Sequence, residues 1–149
     1  MSLSPDLLTE EEYFQDQLAF IEENYKELNN LYVSSTPLNE QVKDFLAIYV
    51  REVEKYTALL GRMGSDKPPL KVFIGTKVTV SFDGDEDRED YHICLPDHSN
   101  PDNGVISFIS PVGRQLLLKN TGDQISLSVP NGHLNVTIEK ITFSDQYSL

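Results

Sequence analysis

Three groups of residues in this 149-residue chain are of types that could do chemistry. The densest is the acidic run Asp83 to Asp90, DGDEDRED, where Asp83, Asp85 and Asp87 occupy positions 1, 3 and 5 of a calcium loop. Such a loop also needs a glycine at position 6 and a glutamate at position 12. Arg88 and Cys94 stand there instead, so the run reads as a solvated loop between strands, open to a basic partner. The second group is His92, His98, His133 and the single Cys94, whose scattered spacing does not make a zinc site. His92 is expected to face outward from a strand. Cys94, inside the apolar run YHICLP, is expected to be a core residue rather than a nucleophile. The third is the segment NNLYVSSTPLNE, whose one carboxylate is Glu40; Glu27 and Asp44 flank it at a distance. No phosphate-binding glycine loop and no Gly-x-Ser-x-Gly elbow is present. Neither a metal nor a cofactor is expected, and the chain is expected not to be an enzyme.

The formal net charge of -12 repels phosphates, so direct sequence-specific nucleic-acid binding is not expected. No apolar run approaches the roughly 20 residues that span a bilayer, and the acidic start MSLSPDLLTEEEYF has no signal-peptide character. With one cysteine and no possible internal disulfide, the expected location is the cytoplasm, with no membrane contact.

Two periodicities divide the chain. Phe14, Leu18, Ile21, Tyr25, Leu28 and Tyr32 follow a 4, 3, 4, 3, 4 spacing, and Val42, Leu46, Tyr49, Val53, Tyr56, Leu60 and Met63 continue the same beat. Both are heptad seams, and a short connection between them requires an antiparallel hairpin. Thr9 and Glu12 form a capping box for the first helix. Ser35 or Thr36 is expected to cap the second, with Pro37 at its first position. Gly61 and Gly64 loosen its end and SDKPP stops it. Heptads also build bundles, but the chain offers no third helix before its period changes.

From Leu70 the period becomes two. Val78, Val80 and Phe82 share one face, YHICL and VISFI are short strand candidates, and Ile125, Leu127 and Val129 alternate. Leu134, Val136, Ile138 and then Ile141 and Phe143 form a closing strand, with Asn131-Gly132 as the hairpin signal. A short helix is expected from about Pro111 to Lys119, ended by the NTGD turn, with Val112, Leu116, Leu117 and Leu118 covering the apolar sheet face. The fold class is therefore α+β: a helical coiled-coil hairpin over 1–66 and a small antiparallel β domain with one short helix over 67–149.

The stretch NGVISFISPVGRQLLLKNTGDQISLSVPNGHLNVTIEKITF resembles the C-terminal, FKBP-like domain of the GreA/GreB transcription elongation factors. The resemblance runs through Ser110-Pro111, Leu116-Leu117, Gly122-Asp123, Pro130-Asn131-Gly132 and the strand to Phe143. A coiled-coil hairpin ahead of that domain is also the family's architecture. The resemblance implies that the β domain docks on RNA polymerase through Ser110, Pro111, Val112, Gly113 and Arg114, and that the hairpin points into the polymerase's secondary channel. Its tip would be Leu31, Val33, Ser34, Ser35, Leu38 and Glu40; the apolar residues among them, exposed at a loop, suggest contact. In cleavage-stimulating members the tip acids help hold a catalytic Mg²⁺, which demands hard oxygen ligands. Here the tip carries one acid, so no stimulation of transcript cleavage is expected. The chain also departs from the family at Ile109, Gln115 and Leu118. A short-hairpin relative, the Rnk-type regulator of nucleoside diphosphate kinase, is the second comparison, and a protein-interaction adaptor is the corresponding second function. Prolyl isomerisation, which an FKBP-like fold brings to mind, is set aside because the chain has no tryptophan for the floor of that pocket.

Overall fold

The computed structural model describes residues 9–63 and 71–144. The chain divides into two compact units, with the boundary in sequence between Lys67 and Pro68. Gly64, the SDKPP stop and the side chain of Met63 lie outside the described residues.

The first unit is helical: α1 spans Glu10–Glu23, α2 Tyr25–Ser35 and α3 Phe45–Met63. Thr9 starts α1 as expected, its Oγ1 accepting the Glu12 N–H at 3.1 Å. Glu10, Glu11 and Glu12 place negative charge on the positive end of the helix dipole. Two expectations fail here. The first arm is not one helix: Asn24 leaves helical geometry at φ -116°, ψ 21°, while its Nδ2 donates to the Phe20 carbonyl at 2.9 Å. The second arm does not begin at Pro37. A single 3₁₀ turn occupies Leu38–Glu40, and α3 starts only at Phe45.

The seam of α1 is also shifted. Phe14, Ile21, Leu28 and Tyr32 are buried as expected, but Leu18 is half-buried, and Tyr25 and Val42 are exposed. Glu10, Tyr13 and Gln17 are buried instead. Glu10, Gln17 and Asn24 are seven apart, so a polar residue recurs once per heptad. Two of these meet tyrosines of α3: Tyr49 donates to Gln17 Oε1 at 2.5 Å, and Tyr56 donates to Glu10 Oε1. One partner's number falls by seven as the other's rises by seven, which makes α1 and α3 antiparallel. Phe14 sits between the two pairs with Tyr13 and Tyr56 edge-on, centroids 5.3 and 5.5 Å away. The expected hairpin is therefore present, held by a mixed seam rather than an apolar one.

The second unit is a five-stranded sheet, ordered β3-β2-β1-β5-β4. The strands are β1 Thr76–Phe82, β2 Arg88–Cys94, β3 Val105–Ser107, β4 Gln124–Val129 and β5 Gly132–Phe143. All neighbours are antiparallel except β2 and β3, which run parallel. The expected fully antiparallel sheet is thus mixed at that edge. The reason is the connection, residues 95–104, which makes 3₁₀ turns at Pro96–His98 and Pro101–Asn103 and carries the chain back before it re-enters. Gly104 closes that excursion at φ 75°, its carbonyl accepting from His92 N at 2.8 Å; a Cβ there would lie 2.9 Å from the Asp90 carbonyl oxygen.

Val80 pairs Ile138 and Thr79 pairs Lys140, leaving Glu139 as a bulge. That extra residue is why Val136, Ile138 and Ile141 are all buried although the last step is three. With Val78, Val80, Ile93 and Leu127 they form the inner face. A helix, α4 Pro111–Leu116, lies against β3 and β4.

Three expectations for this unit are corrected. First, α4 stops at Leu116 rather than Lys119. Leu118 takes a left-handed φ of 68° and its N–H bonds Val72 O at 2.8 Å, while Val72 N–H bonds Lys119 O at 2.9 Å. Pairing with the 71–72 segment thus takes the backbone the helix would have used. Leu116 and Leu117 are buried, and Val112 and Leu118 are half-buried. Second, Val129 pairs Gly132, so the β4–β5 corner is Pro130-Asn131 and not Asn131-Gly132. Proline's fixed φ near -65° suits the first corner position. Third, His92 does not simply face outward. It is half-buried, with Nδ1 3.1 Å from Ser144 Oγ.

Candidate interaction surfaces

The helical unit presents its tip through the connection between α2 and α3. Ser34 and Ser35 turn their hydroxyls back on Leu31 O, at 3.2 and 2.7 Å, so they satisfy the end of α2 rather than face a ligand. Gln41 does the same from across the turn, its Nε2 donating to Val33 O at 3.0 Å and Thr36 O at 2.8 Å. The Tyr32 hydroxyl accepts from Val42 N at 3.0 Å, and its ring stacks on Phe45 at 4.6 Å and 7°. The turn is thus tied down by Ser34, Ser35 and Tyr32, each expected to act elsewhere, and by Gln41, for which the sequence pattern gave no role. Polar residues opposite a helix's last turn were the available signal.

Apolar side chains are exposed here beside the polar ones. Leu38 is 87% exposed, and Leu31, Val33, Val42 and Ile48 are also exposed. Because α3 starts late, Asp44 belongs to this connection instead of lying down the rod, and residues 36–44 carry Glu40, Lys43 and Asp44. The tip therefore holds two acids, not one, with a lysine between them. Among the described residues no group of three histidine, cysteine or acidic side chains is arranged to hold a metal ion.

In the sheet unit the five suspected docking residues are brought together by α4, but they are unequal. Ser110 is the N-cap: its Oγ accepts from Gly113 N at 3.2 Å and donates to Ser107 O at 2.7 Å. Gly113 is buried, and a Cβ there would fall 2.1 Å from the Ser107 carbonyl oxygen. Arg114 is half-buried, with Nη1 3.5 Å from Ile109 O; Val112 is half-buried; Pro111 is exposed. Pro111 alone of the five is exposed, and it stands at the first position of α4, where proline's missing N–H does no harm. Gln115 bonds the backbone of Ser128 in both directions.

The acidic loop stays exposed, but its C-terminal end is engaged. Thr79 Oγ1 donates to Asp90 Oδ1 at 2.6 Å, and Arg88 pairs with Glu139 at 3.6 Å. Cys94 is buried, and burial pushes its thiol up to about 11, so it is protonated at neutral pH. Burial, and then the Lys77 charge, lower the His92 pKa from its ordinary value despite Asp90. No helix among the described residues is long and apolar enough to cross a membrane.

The sequence profile described as "Transcription elongation factor, GreA/GreB, C-term" matches residues 67–143. The chain is 34% identical over 79 residues to transcription elongation factor GreA of Desulfovibrio desulfuricans, covering 53% of this chain and 49% of that one. It is 30% identical over 105 residues to the GreA of Nitratiruptor sp., covering 68% of this chain and 64% of the other. The solved prokaryotic transcription elongation factor GreA/GreB from Nitrosomonas europaea superposes with a TM-score of 0.47 at 25% identity, over 61% of this chain and 79% of that one. The chain spans about half the length of the first of these relatives.

Proposed function

Because the chain belongs to the GreA/GreB family of transcription elongation factors, we propose that it binds RNA polymerase by protein contact and modulates transcription without chemistry of its own. The observation that carries this reading is the family match across the whole sheet unit, residues 67–143. In this reading the sheet unit docks with Pro111 at the contact, and the hairpin tip meets the polymerase through its exposed apolar residues. An acidic chain of net charge -12 suits a basic protein surface better than nucleic acid.

We further propose that the factor does not stimulate transcript cleavage. Glu40 and Asp44 flank Lys43, whose ammonium offsets part of their charge, and Leu38 at the tip is 87% exposed. A second Mg²⁺ would require converging carboxylate oxygens. The test has two arms. Capture of core RNA polymerase by the immobilised full chain is expected; failure of capture would leave the adaptor or kinase-regulator reading. On a backtracked elongation complex, cleavage at the factor-free rate is expected. Cleavage that rises with the factor and is lost in Glu40→Gln or Asp44→Asn would sink the second proposal while leaving the first intact.

A further inference from the structure

The two edges of the sheet are closed to different degrees. At β3, Val105 exchanges both backbone bonds with Asn100, at 2.8 and 3.1 Å. Ser107 O accepts from Ser110 N at 3.0 Å and from the Ser110 hydroxyl at 2.7 Å. That strand is also only 3 residues long, and short edges are poor templates for pairing. β4, Gln124–Val129, is twice as long at 6 residues. It is the one described strand longer than β3 that carries no charged side chain. A lysine or another charge is the usual guard of an exposed edge, and β4 has none.

The register says which backbone groups of β4 point outward. Val129 and Gly132 close a two-residue corner, and Ile138 N donates to Asp123 O at 2.9 Å. Alternation then turns the groups of Asp123, Ile125, Leu127 and Val129 toward β5, and those of Gln124, Ser126 and Ser128 away from it. The outward groups of Ser128 are the pair that the Gln115 amide takes, at 2.7 and 3.0 Å. Gln124 and Ser126 are exposed, and because β4 is last in the sheet order no strand lies beside them.

We propose that β4 is a self-pairing edge and that Gln115 holds it shut. The occupant is β4 of a second copy, running antiparallel, with the two-fold axis at Ser126. Gln124 then faces the second copy's Ser128, Ser126 faces its own counterpart, and Ser128 faces the second copy's Gln124. All three are outward-bonding positions, so each pair can exchange both of its bonds. Ile125 comes opposite Leu127 on the inner face, and no like charges meet anywhere along the strand. Both outer pairs need Ser128, whose groups Gln115 occupies, so with the amide in place only the central pair is left. A register centred on Ile125 spares Ser128 but has one pair fewer. The formal charge of -12 on each copy adds a repulsion that the uncharged strand does not offset.

Sedimentation velocity of the full chain across a range of concentrations tests this. Gln115→Ala should dimerise about tenfold or more tightly than wild type, the effect of two hydrogen bonds that no longer have to be broken. Gln115→Asn, whose amide is one methylene too short for Ser128, should do the same while keeping a polar side chain on α4. Added salt should tighten both dimers by screening the repulsion between copies. Ser126→Lys placed on Gln115→Ala should return the monomer, because two lysines then face each other on the axis. Mixing that variant with Ser126→Glu on the same background should restore a dimer with one copy of each. The proposal is overturned if both Gln115 variants sediment as wild type, if the dimer survives Ser126→Lys, or if the lysine and glutamate variants stay monomeric when mixed.

Discussion

The side-chain amide of Gln115 bonds the backbone of Ser128 as a neighbouring strand would: Oε1 accepts from Ser128 N at 2.7 Å and Nε2 donates to Ser128 O at 3.0 Å. A second bond, from Nε2 to Pro111 O at 2.7 Å, ties the amide to the start of α4. Ser128 lies on β4, at the end of the sheet order, where unpaired backbone groups invite pairing with other chains. Gln115→Ala should lower the stability of the sheet unit by about 1 kcal/mol, the size of ordinary exposed hydrogen bonds. Gln115→Glu should cost at least as much at neutral pH. Its carboxylate can still accept from Ser128 N, but it has no hydrogen for Ser128 O or Pro111 O. Acidification should return part of the loss, because a protonated carboxyl donates again. Urea unfolding of both variants at neutral and acid pH measures this; a Glu variant as stable as wild type at pH 7 would mean the amide is not holding the edge.

The neighbouring turn makes a ranked prediction. Gly113→Ala forces a Cβ to within 2.1 Å of a backbone oxygen, so β3 and α4 must separate, at roughly 3 kcal/mol. Gly122→Ala meets nothing within 4 Å and loses only the freedom to hold φ 91°, at about 1 kcal/mol. Ser110→Ala removes the cap of α4, again at about 1 kcal/mol. Calorimetry on the three variants should place Gly113→Ala well below the other two.

Glu10 carries a pH signature. Burial raises its carboxyl pKa above the ordinary 4.5, although the Tyr56 hydroxyl bond pulls the other way. The folded carboxyl then holds its proton more tightly than the unfolded one. Its contribution to stability is complete below the unfolded pKa and is lost as pH rises through the folded value. Glu10→Gln fixes the neutral form and keeps an acceptor for Tyr56. The difference in Tm between Glu10→Gln and wild type should be near zero at pH 4 and should grow in favour of the variant up to pH 7. A difference that is flat with pH would show that the carboxyl titrates normally in the fold.

Periodicity foretold a helical hairpin followed by a sheet, the sense of the hairpin and the apolar face of the sheet, because burial of a face repeats with its element. Even the bulge at Glu139 left a trace, in the three-residue step from Ile138 to Ile141. The misses share a cause, since each depends on pairing between distant segments. Gln17 reads as surface until Tyr49 is set opposite it, and Leu118 and Lys119 read as helix until Val72 pairs with them. Likewise, nothing local to Val105–Ser107 says that it will lie parallel to β2. At the candidate surfaces, sequence reading grouped Ser110 to Arg114 as a docking set, and these residues fall together in the first turn of α4. It could not separate Ser110 and Gly113, which build that turn, from Pro111, which is left exposed by it.

That separation decides which variants can test docking. Ser110→Ala confounds binding with a lost cap, so the informative pair is Pro111→Ala on the sheet unit and Leu38→Ser on the tip. Pro111 is exposed and Leu38 is 87% exposed, so neither change should shift Tm by more than about 5 °C. If Leu38 is buried on the polymerase, removing its apolar surface should weaken binding by roughly tenfold or more, given about 1.5–3 kcal/mol for burying such a side chain. Leu134 offers an internal control: it is 43% exposed on β5, outside both candidate surfaces, and Leu134→Ser should leave affinity unchanged. Fluorescence titration of core RNA polymerase with the three labelled variants reads all of these at once. Equal affinities for wild type and Leu38→Ser would exclude the tip from the contact, whatever the result at Pro111.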